Sequence, residues 1–499
     1  MSRPRATLLG ERTAPALWGL AFVAAAFALR VWGLSFQSLW RDETDALFFA
    51  TRPLARVLAT FAIPGRNGPL YFLLLKGWIA LAGQTEFALR FPAAAASTLA
   101  LPLTWAVARR LGCARAGFWS LPLLACSPFL VWYGQDGKMY AVVLAAVLCS
   151  TWVFLRALEA RRAAWWAAYG LVAGASLYLH LLTVLVVPVH ACWFALEARA
   201  RGARRAVWWG AVAFVAAALP VLAWGVPLFL SDYESGHPFY SLGAMARAML
   251  FIFVGGVGGM PGRWALVPSL FLALTGSVLG LGERATRGAA VRVLIWLLLP
   301  LLTLAAISLR VPLFTERYLI WTAPAWYLLL GMGVERVAAA ARGIGARALA
   351  LACLGAVLAT AVFPLWTQSH VPLKSDFRGA AAYVAAHREP GDLVLFQMPH
   401  VRRTFQYYFR QPYRWAEGPY TNYGQPPEEV ARHLDGLTAG YRRVWLVLSE
   451  PEMWDRRGLT RRWLEEHGQV VARQSFARVE VICYHLGEPT PARTNPATR

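Results

Sequence analysis

The stretch PALWGLAFVAAAFALRVWGL (residues 15–34), followed at once by SFQSLWRDETD (residues 35–45), decides the fold. The first piece is an apolar run of about 20 residues, enough to cross a bilayer. It follows Arg3, Arg5 and Arg12 and ends without a small-residue cleavage site. Its length and flanks therefore predict a retained membrane helix and not a cleaved signal peptide. The second piece brings three carboxylates, Asp42, Glu43 and Asp45, to the edge of that helix.

The same pattern recurs along the chain. Apolar runs near Phe91–Val107, Ala116–Val131, Met139–Leu155, Trp165–Tyr178, Leu182–Leu196, Val207–Leu228, Trp264–Leu281, Val293–Ile307, Tyr318–Gly333 and Ala348–Leu365 predict a polytopic α-helical membrane protein of about eleven spans. The composition agrees: 58% of the 499 residues are hydrophobic and 15% charged, with a mean hydropathy of +0.44. A soluble chain carries about 25% charged residues. A cytosolic enzyme, a secreted module and a disordered chain are thereby excluded. The formal charge of +22 sits in short arginine clusters between the runs, where it sets orientation and meets anionic headgroups, so no nucleic-acid partner is expected. Cys126, Cys149, Cys192 and Cys353 lie in apolar runs, and Cys113 and Cys483 lack a paired pattern, so neither a disulfide framework nor a metal motif is indicated.

The clusters around Arg109, Arg156, Arg199, Arg284 and Arg336 occupy alternate connections, which places the N-terminus in the cytoplasm and, with an odd number of spans, the C-terminal region on the periplasmic or external face of the plasma (inner) membrane. The organisation expected is a cytoplasmic N-terminus over 1–14, a membrane domain over 15–368 with its first external loop at 35–90, an extracytoplasmic α/β domain over 369–488, and a disordered tail over 489–499. Within the first loop we expect two juxtamembrane helices, Asp42 serving as an N-cap and Pro53 opening the second. In the C-terminal domain, strand-like Leu393–Phe396, Val444–Leu448 and Val479–Tyr484 alternate with helix-like Phe377–His387 and Leu459–His467.

Carboxylates are scarce in the membrane portion, and Asp42, Glu43, Asp45 and Asp136 all fall on its external side. An acid at the membrane boundary is costly unless paired or used. Transfer from a lipid-linked donor needs a carboxylate to take a proton from the acceptor and cations to hold the departing phosphate. Asp42 is the better candidate base and Asp136 the second carboxylate, with Arg41, Lys138 and Arg317 as phosphate contacts. Each acid also has a structural reading, Asp42 as an N-cap and Asp136 as the cap of the span beginning near Met139.

The run Ser38, Leu39, Trp40, Arg41, Asp42, Glu43, Thr44 resembles the first-loop Asp-Glu motif of GT-C glycosyltransferases, particularly family 39 and its bacterial relatives. Asn67 to Tyr71, with Trp78, Gly83, Glu86 and Arg90 to Pro92, is similar to the next stretch in that family, and Ser127, Pro128, Tyr133, Gln135, Asp136, Lys138, Met139 and Tyr140 to its second external loop. His180, Arg317 and Tyr318 fall where such sequences carry polar marks. The likeness spans roughly Leu29 to Pro364. It implies an inverting transferase using a polyprenyl-phosphate-linked sugar donor, with a protein, lipid or envelope glycan as acceptor, similar to protein O-mannosyltransferases and to lipid A aminoarabinose transferases. It implies catalytic roles for Asp42, Glu43 and Asp136, and substrate contacts from Arg41, Lys138, Tyr140, His180, Arg317 and Tyr318. Many relatives read Glu-Ala-Arg where this chain has Asp136, Gly137 and Lys138, and a lysine lacks arginine's bidentate grip on phosphate. No residue is assigned to a metal. Relatives differ in metal use, so a divalent ion stays open, with Asp42, Glu43 and His180 as the ligands available.

Other polar positions carry weaker expectations. His190 reads as structural, Gly255–Gly259 as a flexible turn beside a cavity, and Asp232, Tyr233, Glu234 and His237 as a solvated loop or acceptor contact. His400, Arg402, Arg403, Tyr407 and Tyr408 read first as a solvated aromatic-basic surface and second as an acceptor contact. Two competing functions remain at this level. A transporter or flippase would place coupling acids near the midplane of broken spans, and a non-catalytic homologue would present its C-terminal domain to a partner.

Overall fold

The computed structural model describes residues 6–63, 67–201, 204–231, 237–340 and 344–487. They form two compact units, one made of Met1–Leu34 with Phe49–His370, the other of Ser35–Phe48 with Val371–Arg499. Asp232, Tyr233, Glu234 and the tail 489–499 lie outside the described residues.

The first unit is helical: α1 (Ala6–Val31), the end of α2 (Arg41–Thr51), α3 (Leu54–Ala59), α4 (Pro69–Ala82), α5 (Glu86–Leu111), α6 (Ala114–Ala125), α7 (Pro128–Gly134), α8 (Tyr140–Ala160), α9 (Ala163–Leu179), α10 (Val186–Arg201), α11 (Arg204–Leu230), α12 (Leu242–Gly255), α13 (Leu266–Gly282), α14 (Arg284–Ser308), α15 (Ala323–Ala340) and α16 (Ile344–His370). Among the described residues five helical stretches are long and apolar enough to cross a membrane, or six if the bent pair α6–α7 is one span; α4, α9, α12 and others are apolar but shorter. The expectation of about eleven spans counts such shorter helices with the long ones.

Two expectations change here. The run Ala116–Val131 is not one straight span, because α6 and α7 meet at 61°. Ser127 caps α7 through its side chain, and Pro128 at the first helical position has no N–H to continue the preceding helix. The first loop holds three helices, α2, α3 and α4, where two were expected. Gly68 precedes α4 at φ +84°, a conformation glycine adopts without a Cβ clash, and Pro69 opens the helix.

The break between α6 and α7 would leave carbonyls unsatisfied in a dry interior. Fully buried Arg30 of α1 answers them. Its Nη1 donates to Ala125 O at 3.1 Å and its Nη2 to Leu124 O at 3.1 Å, while Nε donates to Ser97 Oγ at 2.7 Å. Ser97 passes the network on to Leu130 O at 2.9 Å. Gln368 Nε2 donates to Pro128 O at 3.0 Å, and Tyr327 Oη lies 2.7 Å from Ser127 Oγ. In the Gly255–Gly259 turn, Gly256 packs against this elbow: a Cβ there, where φ is +53°, would sit 2.7 Å from Pro128 Cβ, whereas Gly259 faces open space. His190 is structural, with Thr151 Oγ1 at 3.1 Å, Tyr169 Oη at 3.0 Å and Phe154 stacked on its ring.

The second unit is an α/β layer. After α17 (Phe377–His387) come β1 (Leu393–Phe396), α18 (Arg402–Tyr408), β2 (Arg414–Glu417), α19 (Pro427–Thr438), β3 (Arg443–Leu448), α20 (Pro451–Trp454), α21 (Leu459–His467), β4 (Gly468–Phe476) and β5 (Val479–Leu486). The sheet runs β2-β1-β3-β5-β4, with β1 parallel to both β2 and β3 and the last pairs antiparallel. Phe377, Val394, Phe396 and Phe405 build a core on one face, and Leu393, Leu395, Val430 and Leu434 on the other.

Residues Ser35–Phe48 are part of this unit. Gln37 donates to Val371 O at 2.8 Å and accepts from Leu373 N–H at 2.9 Å. Leu39 N–H donates to Tyr408 Oη at 2.7 Å, and Thr44 and Thr404 share a hydrogen bond of 2.7 Å. Arg403 pairs with Asp45 at 2.9 Å and Arg402 with Glu417 at 3.1 Å. The aromatic-basic cluster read as a solvated surface is in fact partly the seat of the first loop.

Two substitutions test this account. Arg30→Met keeps the volume and removes the donors, so thermal unfolding in detergent should show a loss of about 3 kcal/mol; an unchanged midpoint would mean that the elbow does not depend on Arg30. Lys374→Met strips the partner from buried Glu43, 3.1 Å away, and should cost about 3–5 kcal/mol, with most of it recovered in Glu43→Leu/Lys374→Met. A double variant as unstable as the single would contradict the pairing.

Candidate active site

In the membrane unit a short connection leads from α7 to α8. Asp136 is buried there, and Lys138 N–H donates to its carbonyl at 2.7 Å, which tightens the turn. The N-cap of α8 is Met139 without a side-chain cap, so Asp136 is not the cap of that helix. The first turn of α8 carries Tyr140, whose ring centroid lies 6.2 Å from His180 and 6.3 Å from Tyr318.

His180 ends α9 and accepts at Nδ1 from Leu182 N–H at 3.2 Å. Burial, reinforced by the positive charges of Arg317 and Lys138, pushes its pKa down to about 3, so the ring is neutral at physiological pH. With Nδ1 accepting, the tautomer assigned from this bond carries the proton on Nε2. Nε2 is buried and has no partner among the described residues. A neutral donor is thus held ready for an acceptor atom. Arg317 stands over Tyr140 at 5.4 Å and over Tyr318 at 5.9 Å, and Tyr318 stacks obliquely on His180 with centroids 4.5 Å apart. Tyr318 Oη lies 3.4 Å from Nε2 of half-buried His237. Burial and then Arg317 lower the pKa of His237 as well.

Of these, His180, His237 and Tyr318 line a crevice of about 320 Å³. Asn67, His180, His237 and Tyr318 line it together with Leu181, Leu182, Val226, Phe229, Ile307 and Val311. Asn67 Oδ1 accepts from Leu181 N–H at 3.1 Å, which fixes the turn after α9. Tyr140, His180, Arg317 and Tyr318 are therefore brought together, with Lys138 close enough to act on His180. Asn67 and His237 extend the group.

In the α/β unit, Arg41, Asp42 and Glu43 form the first turn of α2. Asp42 lies within that turn and is not the N-cap expected from the sequence. Glu43, whose side chain is fully buried, accepts from Trp40 N–H at 3.3 Å and pairs with Lys374 Nζ at 3.1 Å. Glu43 thus forms a buried ion pair with Lys374. Arg41 reaches Glu450 at 3.3 Å and lies 4.0 Å from Asp42. Asp42 keeps about a fifth of its side chain exposed, unlike its neighbour. Lys374 carried no expectation, yet it is one of only three lysines among 49 basic residues. Where arginine is the default cation, each lysine was a signal: Lys76 Nζ donates to Arg52 O at 2.7 Å and to Ala50 O at 3.3 Å, closing the end of α2. Among the described residues no three His, Cys, Asp or Glu side chains are placed to hold a metal ion.

Residues 66–224 match the family model of dolichyl-phosphate-mannose-protein mannosyltransferases. No curated protein matches. In fold the chain is similar to ArnT from Cupriavidus metallidurans in the apo state, at a TM-score of 0.60 and 15% identity over 94% of this chain and 98% of that one. The same protein bound to undecaprenyl phosphate gives 0.60 at 16% identity, over 93% and 98%. The Archaeoglobus fulgidus oligosaccharyltransferase in the apo form gives 0.55 at 12% identity, over 96% of this chain and 75% of that one. These likenesses show that the chain shares the fold of ArnT and of the archaeal oligosaccharyltransferase, and the family match runs across the second loop.

Proposed function

We propose that the chain is a membrane glycosyltransferase that moves a sugar from a polyprenyl-phosphate-linked donor to an extracytoplasmic acceptor. The observation that carries this reading is the crevice of the membrane unit, apolar along most of its lining and polar at His180, His237 and Tyr318, with the Arg317 guanidinium 5.9 Å from the Tyr318 ring. A lipid-linked sugar phosphate has the same polarity, an apolar chain followed by an anion. The ArnT structure with undecaprenyl phosphate and the mannosyltransferase family match support that donor class.

The chemistry asks for charge stabilisation where the phosphate leaves and a base where the acceptor attacks. Arg317 supplies a fixed positive charge, and the Nε2–H of His180 donates to a phosphate oxygen. Lys138 adds a second cation. Asp42 takes the proton from the acceptor hydroxyl or amine as that atom bonds to the anomeric carbon. The bond from that carbon to the phosphate oxygen breaks, its electron pair leaves with the phosphate, and the configuration inverts. Asp136 acts as the acid of the second loop. Glu43, held by Lys374, fixes the turn that carries Asp42 and does not itself take the proton.

In purified membranes supplied with a panel of radiolabelled polyprenyl-phosphate sugars, the wild type should consume one donor. Asp42→Asn should lower turnover by about a hundredfold to ten-thousandfold while the protein stays folded; wild-type turnover in a folded Asn variant would remove Asp42 from the mechanism. His180→Phe, which keeps the ring and loses the donor, should raise the donor KM about tenfold, and Lys138→Ala should impair donor use more than acceptor use. Unchanged donor dependence in both would place the phosphate elsewhere.

A further inference from the structure

The α/β unit carries a second cavity, of about 440 Å³, with no assigned role. It lies where the topology favours one. Strand β1 sits between β2 and β3. The helix leading to β2 contributes Phe405 to the core on one face of the sheet, and the helix leading to β3 contributes Val430 and Leu434 to the other. The chain leaves β1 toward β2 through α18 on one face and leaves β3 toward β4 through α21, which adds Leu459 and Leu464 to the core on the other, so a crevice opens beyond the carboxyl ends of β1 and β3. Gln397, directly after β1, and Ser449, directly after β3, both line it.

Gln397 is 1% exposed, and neither its Oε1 nor its Nε2 has a partner among the described residues. Its backbone N–H is satisfied, donating to Val447 O at 3.1 Å. A buried primary amide with both ends unmet weakens a fold, and such a group is retained where a ligand supplies the partners.

The surroundings say what kind of ligand that is. Helix α21 starts at this cavity, but Asp455 already accepts from Leu459 N–H at 3.0 Å and Thr460 N–H at 2.9 Å. Its carboxylate takes the place an anion would occupy and repels phosphate. Arg461 is held by Glu465 at 2.8 Å and Glu480 at 3.2 Å. The cavity thus offers a neutral amide, the half-buried ring of Phe476 on its wall, and charges that largely cancel. An extended peptide would instead need a free strand edge, and β1 and β3 are paired on both sides. A primary amide both donates and accepts, as each hydroxyl of a sugar does. We propose that this cavity binds a neutral saccharide, with Gln397 donating to one hydroxyl and accepting from its neighbour.

The test uses the full chain in nanodiscs, free of sugar-based detergent, and a panel of methyl glycosides followed by saturation-transfer NMR, with inorganic phosphate and a short peptide amide as comparison probes. The wild type should bind at least one glycoside, and Gln397→Leu should weaken it by about tenfold or more. The Leu variant should unfold at the same or a higher temperature than the wild type, because an unmet amide has gone. Absence of glycoside binding, equal binding by the Leu variant, or preference for phosphate or peptide would overturn the proposal. So would loss of thermal stability in both Gln397→Leu and Gln397→Met, which would make the amide a packing requirement. Donor consumption is measured separately, so saccharide binding stands or falls apart from the transferase reading.

Discussion

An arginine with no access to water holds the membrane unit in its working shape. A charged side chain inside a helical bundle is tolerated only where its neighbours replace its hydration. Arg30 meets that condition because α6 stops short and presents Leu124 O and Ala125 O, the negative end of a helix dipole, with Ser97 Oγ beside them. The dependence is mutual, since the carbonyls need the donors as much as the guanidinium needs acceptors. The elbow leads into short helix α7 and then into the connection carrying Asp136 and Lys138, so the second loop inherits its position from this buried cation.

A second buried charge does comparable service in the α/β unit. Glu43 and Lys374 lie far apart in the chain and are almost wholly removed from water. Such a pair adds little net stability over an apolar substitute, but neither partner is tolerated alone. Its effect is to specify: the first turn of α2 can sit in only one way on the segment after α16. The adjacent acids of the first loop thus divide their labour. Glu43 is spent on architecture, and Asp42 keeps an exposed edge.

The polar end of the crevice shows a third use of burial. Tyr140, His180 and Tyr318 come from three separate stretches of chain, and their rings pack together below the Arg317 guanidinium. Burial next to two cations keeps His180 neutral. Neutrality makes the imidazole a donor of fixed tautomer instead of a pH-dependent charge, which suits a group meant to meet an anion.

Much of this was legible in the chain. Apolar runs of bilayer length, arginines in alternate connections and the alternation of Phe377–His387, Leu393–Phe396 and Leu459–His467 are local patterns, and a membrane or a sheet face selects them by composition alone. The acids of the first and second loops stood out because carboxylates are rare beside lipid. Strand β2 escaped notice because Arg414, Trp415 and Glu417 remain at least partly accessible and only Ala416 is buried; pairing with β1 makes it a strand. The bend in Ala116–Val131 is masked because both arms are apolar; Ser127 and Pro128 mark its place, but the donors that satisfy its carbonyls, Arg30 and Gln368, are remote in sequence. Likewise Lys374, Asn67 and Gln397 acquire meaning only from what surrounds them. The sequence by itself determined that the chain enters the membrane, where its carboxylates cluster and which segments form helices and strands, since these depend on hydropathy and period. Which charges pair in the interior, which acid keeps part of its surface in water and which amide is left unmet depend on the tertiary structure, because desolvation and hydrogen-bond satisfaction depend on neighbours that the order of residues does not name.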